Sequence, residues 1–195
     1  MKPKLAPIER PSGLMMKLAY WLTQKKFGKV MTPVKVIFAR LPMSFGNYVQ
    51  KLDKLEQQYE LPKDVAVLVR THVAQLNTCG FCIDIGKLEV INNYPDQQVK
   101  FFSVADFRSS PLFNAREKAA LQFAEELTLN KRISDETFNA AKELFSEREL
   151  IEIAWAVTRE HIYNLMNLAF DIESDGFCQI PEKAPAEKNH TAMAV

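Results

Sequence analysis

Apolar residues recur at spacings of three and four along most of this chain, not at the spacing of two that a half-buried strand demands, and only 6 glycines interrupt its 195 residues. That pattern predicts an all-α fold. Leu14, Leu18, Tyr20, Trp21 and Leu22 share helical register within Gly13 to Gln24, and a break follows around Phe27 to Pro33. Pro33 opens a short helix through Leu41, and Pro42 ends it. Tyr48, Leu52, Leu55 and Tyr59 then draw one apolar stripe from Phe45 to Tyr59. Val65, Leu68, Val69, Val73 and Leu76 build a helix that runs into Asn77-Thr78, a capping pair for a further helix from Cys79 to about Ile91. Phe101 to Phe107 reads as a short helix or turn. Asn114 with Glu117 and Ser146 with Glu149 are capping boxes for helices Ala115 to Leu129 and Arg148 to Phe170, and Ser134 with Thr137 opens another through Leu144. Pro181 to Val195 has no periodicity and predicts a disordered tail. The expected organisation is an N-terminal helical extension over 1–60, a helical-bundle core over 61–180 and a tail over 181–195.

Size and charge narrow the functional classes. A chain of this length buries a core without structural disulfides or metals. The formal net charge is +1, so bulk charge gives no field for nucleic acid or an anionic membrane, and a small molecule or a protein is the expected partner. Residues 1–11 carry Lys2, Lys4 and Arg10 without the apolar stretch of a secretory signal, and no apolar run reaches the roughly 20 residues of a membrane span. The expected location is the cytoplasm. In that reducing compartment three cysteines do not make a disulfide scaffold, and a close pair points to catalysis or metal binding.

The pair is Cys79-Gly80-Phe81-Cys82, two thiols one helical turn apart. Such a pair closes a disulfide, supplies half of a metal site, or simply fills space. Zinc needs four ligands, and only Cys178 and three scattered histidines are at hand, so no metal or organic cofactor is expected. A thiol attacks only as thiolate, and a reference pKa of about 8.5 leaves little of it at neutral pH. The first turn of a helix lowers that value through its unpaired N–H groups and its dipole, and Thr78-Cys79 falls where such a helix begins. Oxidation of one sulfur to a sulfenic acid, followed by attack from the other, would discharge a peroxide.

The wider string Arg70-Thr-His-Val-Ala-Gln-Leu-Asn-Thr-Cys-Gly-Phe-Cys-Ile-Asp-Ile-Gly86 resembles the core motif of the carboxymuconolactone decarboxylase and alkylhydroperoxidase D family. The likeness extends to Ser110-Pro-Leu-Phe-Asn-Ala-Arg-Glu-Lys, Glu147-Arg-Glu-Leu-Ile-Glu-Ile and Tyr163-Asn-Leu-Met-Asn-Leu-Ala-Phe. This resemblance implies an all-helical bundle that assembles into homo-oligomers, with the thiols near subunit contacts. It implies Cys82 as the peroxidatic cysteine and Cys79 as the resolving one. It also implies a small hydroperoxide as substrate and a dithiol as reductant.

The chain departs from that family at two positions. Redox members carry a glutamate twelve residues before the first cysteine and a histidine four after the second, as a proton relay. Here those positions hold Val67 and Gly86. His161, Glu160 and His72 are the candidates for a displaced relay, the first two from the last long helix and the third from seven residues before Cys79. Asp84 is expected to be structural, Cys178 an ordinary packed cysteine, and Trp21 and Trp155 fillers of the core and of subunit contacts. The leading function is a thiol-dependent peroxidase or disulfide reductase; a non-catalytic or redox-sensing oligomeric scaffold comes second and a lactone decarboxylase-like enzyme third.

Overall fold

The structure is a computed structural model that describes residues 2–178; the tail expected at 181–195 lies outside the described residues. In chain order the helices are α1 (Leu14–Phe27), α2 (Thr32–Val36), α3 (Met43–Glu56), α4 (Lys63–Leu76), α5 (Gly80–Asn93), α6 (Gln98–Phe102), α7 (Ala115–Asn130), α8 (Asp135–Lys142) and α9 (Glu147–Ala169). Every regular element among the described residues is helical, as the apolar spacing predicts.

Helix α4 is the axis of the bundle. Val65, Ala66, Val67, Leu68, Val69, His72, Val73 and Ala74 are all buried, so it is apolar on every side rather than along one stripe, as a central helix must be. On one side Val65, Val69 and Val73 pack with Ala120, Phe123 and Ala124 of α7 and with Ile153, Ala156 and Val157 of α9. On the other, Val67 and Leu68 pack with Val90, Phe101, Val104, Phe107 and Leu121. Each fully buried Leu or Phe among these stabilises the fold by roughly 1.5–3 kcal/mol. The ends of α7 and α9 are set by the two capping boxes. Glu117 N–H donates to Asn114 Oδ1 and Asn114 N–H to Glu117 Oε2, both at 2.9 Å, and Ser146 and Glu149 repeat the exchange.

The stretch from α2 to the start of α3 meets α5, the end of α9 and the chain beyond it at a smaller apolar cluster that holds Val36, Ile37, Phe81 and Ile172. The helix expected from Pro33 to Leu41 stops at Val36, where the Arg40 guanidinium donates to Val36 O at 2.7 Å and to Lys35 O at 3.3 Å; a 3-10 turn follows over Phe38–Arg40. Trp21 does not fill the core: it is 55% exposed, because α1 turns Met16, Ala19, Thr23 and Phe27 inward instead. What they face is a cavity of about 650 Å³ between the N-terminal helices and the bundle. No helix among the described residues is long and apolar enough to cross a membrane.

Candidate functional site

The cysteine pair is placed by the way α4 ends. Cys79 N–H donates to Ala74 O at 3.1 Å and Thr78 N–H to Gln75 O at 3.0 Å, the paired bonds of a Schellman turn. Thr78 takes the left-handed position at φ 52°. Glycine normally fills that position, and a β-branched residue there costs roughly 1–3 kcal/mol unless its surroundings enforce it. They do: the neighbouring Asn77 amide donates to Asn164 Oδ1 at 2.8 Å and meets His161 Nδ1 at 3.3 Å, which pins the turn to α9.

The turn delivers Cys79 to the N-cap of α5, in place of the Asn77-Thr78 pair expected there. Its Sγ accepts the Cys82 N–H at 3.4 Å, taking the role that a serine or aspartate oxygen usually plays. Cys82 therefore occupies the third helical position, and the two cysteines are joined in a disulfide with their Cα atoms 5.3 Å apart. Both sulfurs lie in the first turn of α5, where the helix favours an anionic sulfur once the bond is reduced.

The two sulfurs are not equivalent. Cys79 has no exposed surface, whereas Cys82 is 5% exposed and lines the cavity. Asn167 Nδ2, from α9, lies 3.4 Å from Cys82 Sγ and 4.0 Å from Cys79 Sγ, with the geometry of a donor to each. Behind the pair, the chain that leaves α9 crosses Gly80 so closely that a Cβ there would sit 3.4 Å from Ser174 N. Asp84 fastens this crossing by accepting the N–H groups of Phe177 at 2.9 Å and Cys178 at 2.8 Å, the structural role expected of it. Cys178 itself is a half-buried free thiol whose pKa burial pushes up.

The cavity has an apolar end and a charged one. Met16, Phe27, Ile37, Phe38, Phe45 and Met166 line the first. At the second, Arg70 pairs with Glu89 at 2.9 Å and Glu56 at 3.2 Å, and Arg159 pairs with Asp53 and Glu56 and lies over the Tyr163 ring. Val67 and Gly86, where the resemblance implies relay groups, both line this cavity, and a Cβ on Gly86 would meet nothing within 4 Å.

The three relay candidates separate. Glu160 lines the cavity, is buried, and accepts the Asn164 amide at 2.6 Å. Burial raises its pKa, and Arg70, Asn164 and Arg159 counter this only in part. His161 turns toward Asn77, and burial followed by the Lys131 charge lowers its pKa. Since the Asn77 amide donates, His161 Nδ1 accepts, as the neutral ring can. A continuous polar chain thus runs from His161 through Asn77 and Asn164 to Glu160. His72 is not part of it: its Nε2 lies 3.1 Å from Glu125 Oε2, and its ring meets Phe107 edge-on. The seven-residue spacing to Cys79 brings no contact, because α4 ends at the left-handed turn between them. Asn167, Asn77 and Asn164 are the site residues that sequence reasoning passed over, although Tyr163-Asn-Leu-Met-Asn167 had marked two of them as a pair one turn apart. Among the described residues no three His, Cys, Asp or Glu side chains converge to hold a metal ion.

No family model matches the chain. It is 30% identical over 173 residues to the uncharacterized protein YnjA of Escherichia coli (strain K12), a match that spans 87% of this chain and 93% of that protein. Among the solved structures that share its fold are two that cover most of the chain. The debrominase Bmp8, a cysteine-to-alanine variant in complex with 2,3,4-tribromopyrrole, superimposes with a TM-score of 0.76 at 17% identity over 91% of this chain and 94% of its own. An uncharacterized peroxidase-related protein with an alkylhydroperoxidase AhpD core, from Ralstonia eutropha JMP134, gives 0.70 at 18% identity over 91% and 95%.

Two measurements follow from this geometry. Asn167→Ala removes a donor to the Cys82 sulfur, and alkylation of Cys82 in the reduced protein at neutral pH should slow about tenfold, since a hydrogen bond to a charged group contributes on the order of 1.5 kcal/mol. An unchanged rate would deny Asn167 that role. For Glu160, the unfolded chain ionises near 4.5 and the folded protein higher, so its contribution is fully present below 4.5 and is lost as pH rises through the folded value. Glu160→Gln cannot ionise. Its thermal midpoint relative to wild type should therefore rise as the pH is raised above 4.5, and a constant difference would contradict the assignment.

Proposed function

The chain belongs to one family with YnjA and shares the alkylhydroperoxidase D-like fold, and on that premise we propose that it is a thiol-dependent peroxidase cycling the Cys79–Cys82 disulfide. The observation that carries this reading is the asymmetry of the pair: Cys82 opens onto a 650 Å³ cavity and faces an amide donor, while Cys79 is sealed behind it.

The Cys82 thiolate attacks the terminal oxygen of an organic hydroperoxide. The O–O bond breaks, the alkoxide leaves as alcohol after taking one proton, and Cys82 becomes a sulfenic acid. Cys79 then attacks the Cys82 sulfur, the oxygen leaves as water, and the disulfide forms. An external dithiol returns both thiols and is itself oxidised to a disulfide. It must enter through the cavity and attack the Cys82 sulfur, because Cys79 has no exposed surface. Glu160, held toward its protonated form by burial, supplies the proton that the family's relay would have supplied from positions 67 and 86. The protein works as a homo-oligomer in the cytoplasm, without metal or organic cofactor.

A second reading shares the same electrons. The likeness to a debrominase over 91% of the chain, and the apolar cavity walled by α1 to α3, favour a halogenated ring as ligand. The Cys82 thiolate would take the halogen, the ring carbon would take a proton, and Cys79 would displace halide as the disulfide closes. Bromide released from 2,3,4-tribromopyrrole by the reduced protein distinguishes this chemistry from peroxide reduction.

Reduced wild type treated with one equivalent of cumene hydroperoxide should lose two hydrogens in its intact mass, and Cys82→Ser should not react by this route. The paired substitution Val67→Glu/Gly86→His restores the relay on a cavity wall with room for it. It should speed the reaction by on the order of a hundredfold. A wild type indifferent to hydroperoxide would leave the scaffold reading in its place.

A further inference from the structure

The net charge of +1 conceals a strong asymmetry. Residues 1–35 hold eight basic residues and one acidic, whereas residues 36–195 hold 17 basic and 23 acidic. Helix α1, at the centre of the basic segment, contains no acidic residue. Among the described residues no carboxylate pairs with Lys17, Lys25, Lys26 or Lys29, while Lys4 and Lys35 are paired with Asp171 and Glu9.

The same helix exposes an apolar face. Leu14 is 82% exposed, Met15 57%, Leu18 47%, Trp21 55% and Leu22 51%. At 3.6 residues per turn these side chains span an arc of about 120°, with Lys17 at one edge, Lys26 at the other and Lys25 stacked over the Trp21 ring. The other large exposed apolar side chains are spread over separate elements such as α6, α8 and α9. The opposite face of α1, with Met16, Ala19 and Phe27, forms the cavity wall. The inner face is taken up by the cavity, so what α1 presents outward is an apolar arc bordered by lysines, the pairing that holds a helix at an anionic lipid interface.

We propose that α1 docks the protein on an anionic lipid surface, with Leu14, Leu18, Trp21 and Leu22 entering the headgroup–acyl boundary and Lys17, Lys25 and Lys26 meeting lipid phosphates. The charge pattern selects this occupant over a symmetric pairing of α1 with α1 of a second copy, because two such basic faces repel each other. Docking places the cavity one helix diameter, about 10 Å, from the lipid. The near-neutral total, from which no membrane partner was expected, averages this face away.

The test is co-sedimentation of the full-length protein with phosphatidylcholine vesicles and with vesicles in which about a third of the lipid is phosphatidylglycerol, at about 0.15 M salt. Wild type should bind the anionic vesicles with a blue shift of Trp21 emission, read in a Trp155→Phe background, and should leave neutral vesicles free. Leu18→Ser/Leu22→Ser and Lys17→Glu/Lys25→Glu change exposed side chains only, and each should weaken binding at least about tenfold with unchanged circular dichroism. Absence of binding by folded wild type would overturn the proposal, as would equal binding by both variants. So would dissociation of a wild-type oligomer by Leu18→Ser/Leu22→Ser without any vesicle binding, which would make the face a contact between copies. None of these outcomes depends on peroxidase activity.

Discussion

The site depends on one backbone event, the left-handed turn at Thr78. Without it α4 would continue, Cys79 and Cys82 would sit in mid-helix with their N–H groups already used, and neither sulfur would gain from a helix terminus. With it, Cys79 caps α5 and Cys82 stands three residues on, oriented toward the cavity. The strain of a β-branched residue at φ 52° is held by Asn77, whose amide is bound to α9 by Asn164 and His161. The residues that enforce the turn are thus the same ones that connect it to Glu160, which couples the geometry of the pair to a buried acid in the wall of the same cavity.

That coupling bears on the missing relay. A valine and a glycine at positions 67 and 86 leave the cavity wall apolar and roomy where two proton-carrying groups would otherwise stand. Two functions compete for that space: proton delivery from α4 and α5, and volume for a large apolar ligand. This chain has taken the volume, and the buried carboxyl that remains comes from α9. Burial, the dominant influence on Glu160, keeps its proton at a pH where an exposed carboxylate has lost it. It is thereby suited to give a proton rather than to take one from a thiol.

What could be read from the sequence was local. The capping boxes at Asn114 and Ser146 are satisfied within three residues, so their side chains announced them. The C-x-x-C spacing and the absent relay residues are likewise matters of near neighbours along the chain. What could not be read was either conformationally atypical or long-range. Thr78 carries none of the glycine signal of a left-handed turn, so Asn77-Thr78 looked like a cap when the sulfur of Cys79 performs that task. Asn167 reaches Cys82 across 85 positions of sequence, and His72 finds Glu125 across 53, so tertiary packing alone decides that the first belongs to the site and the second does not. The cavity is of the same kind, since it exists only where α1 to α3 fold back over the bundle.

The central claim is that Cys82 attacks and Cys79 resolves. Serine at position 79 keeps the N-cap bond to the residue 82 N–H while removing the resolving sulfur, so the first turn of α5 survives. Reduced Cys79→Ser, exposed to one equivalent of an organic hydroperoxide in the presence of a dione that labels sulfenic acids, is therefore the most direct measurement. The account predicts a single label on Cys82 by peptide mass mapping and none in Cys82→Ser. Label on Cys79 in the Cys82→Ser protein, with Cys82 unmodified in Cys79→Ser, would contradict it.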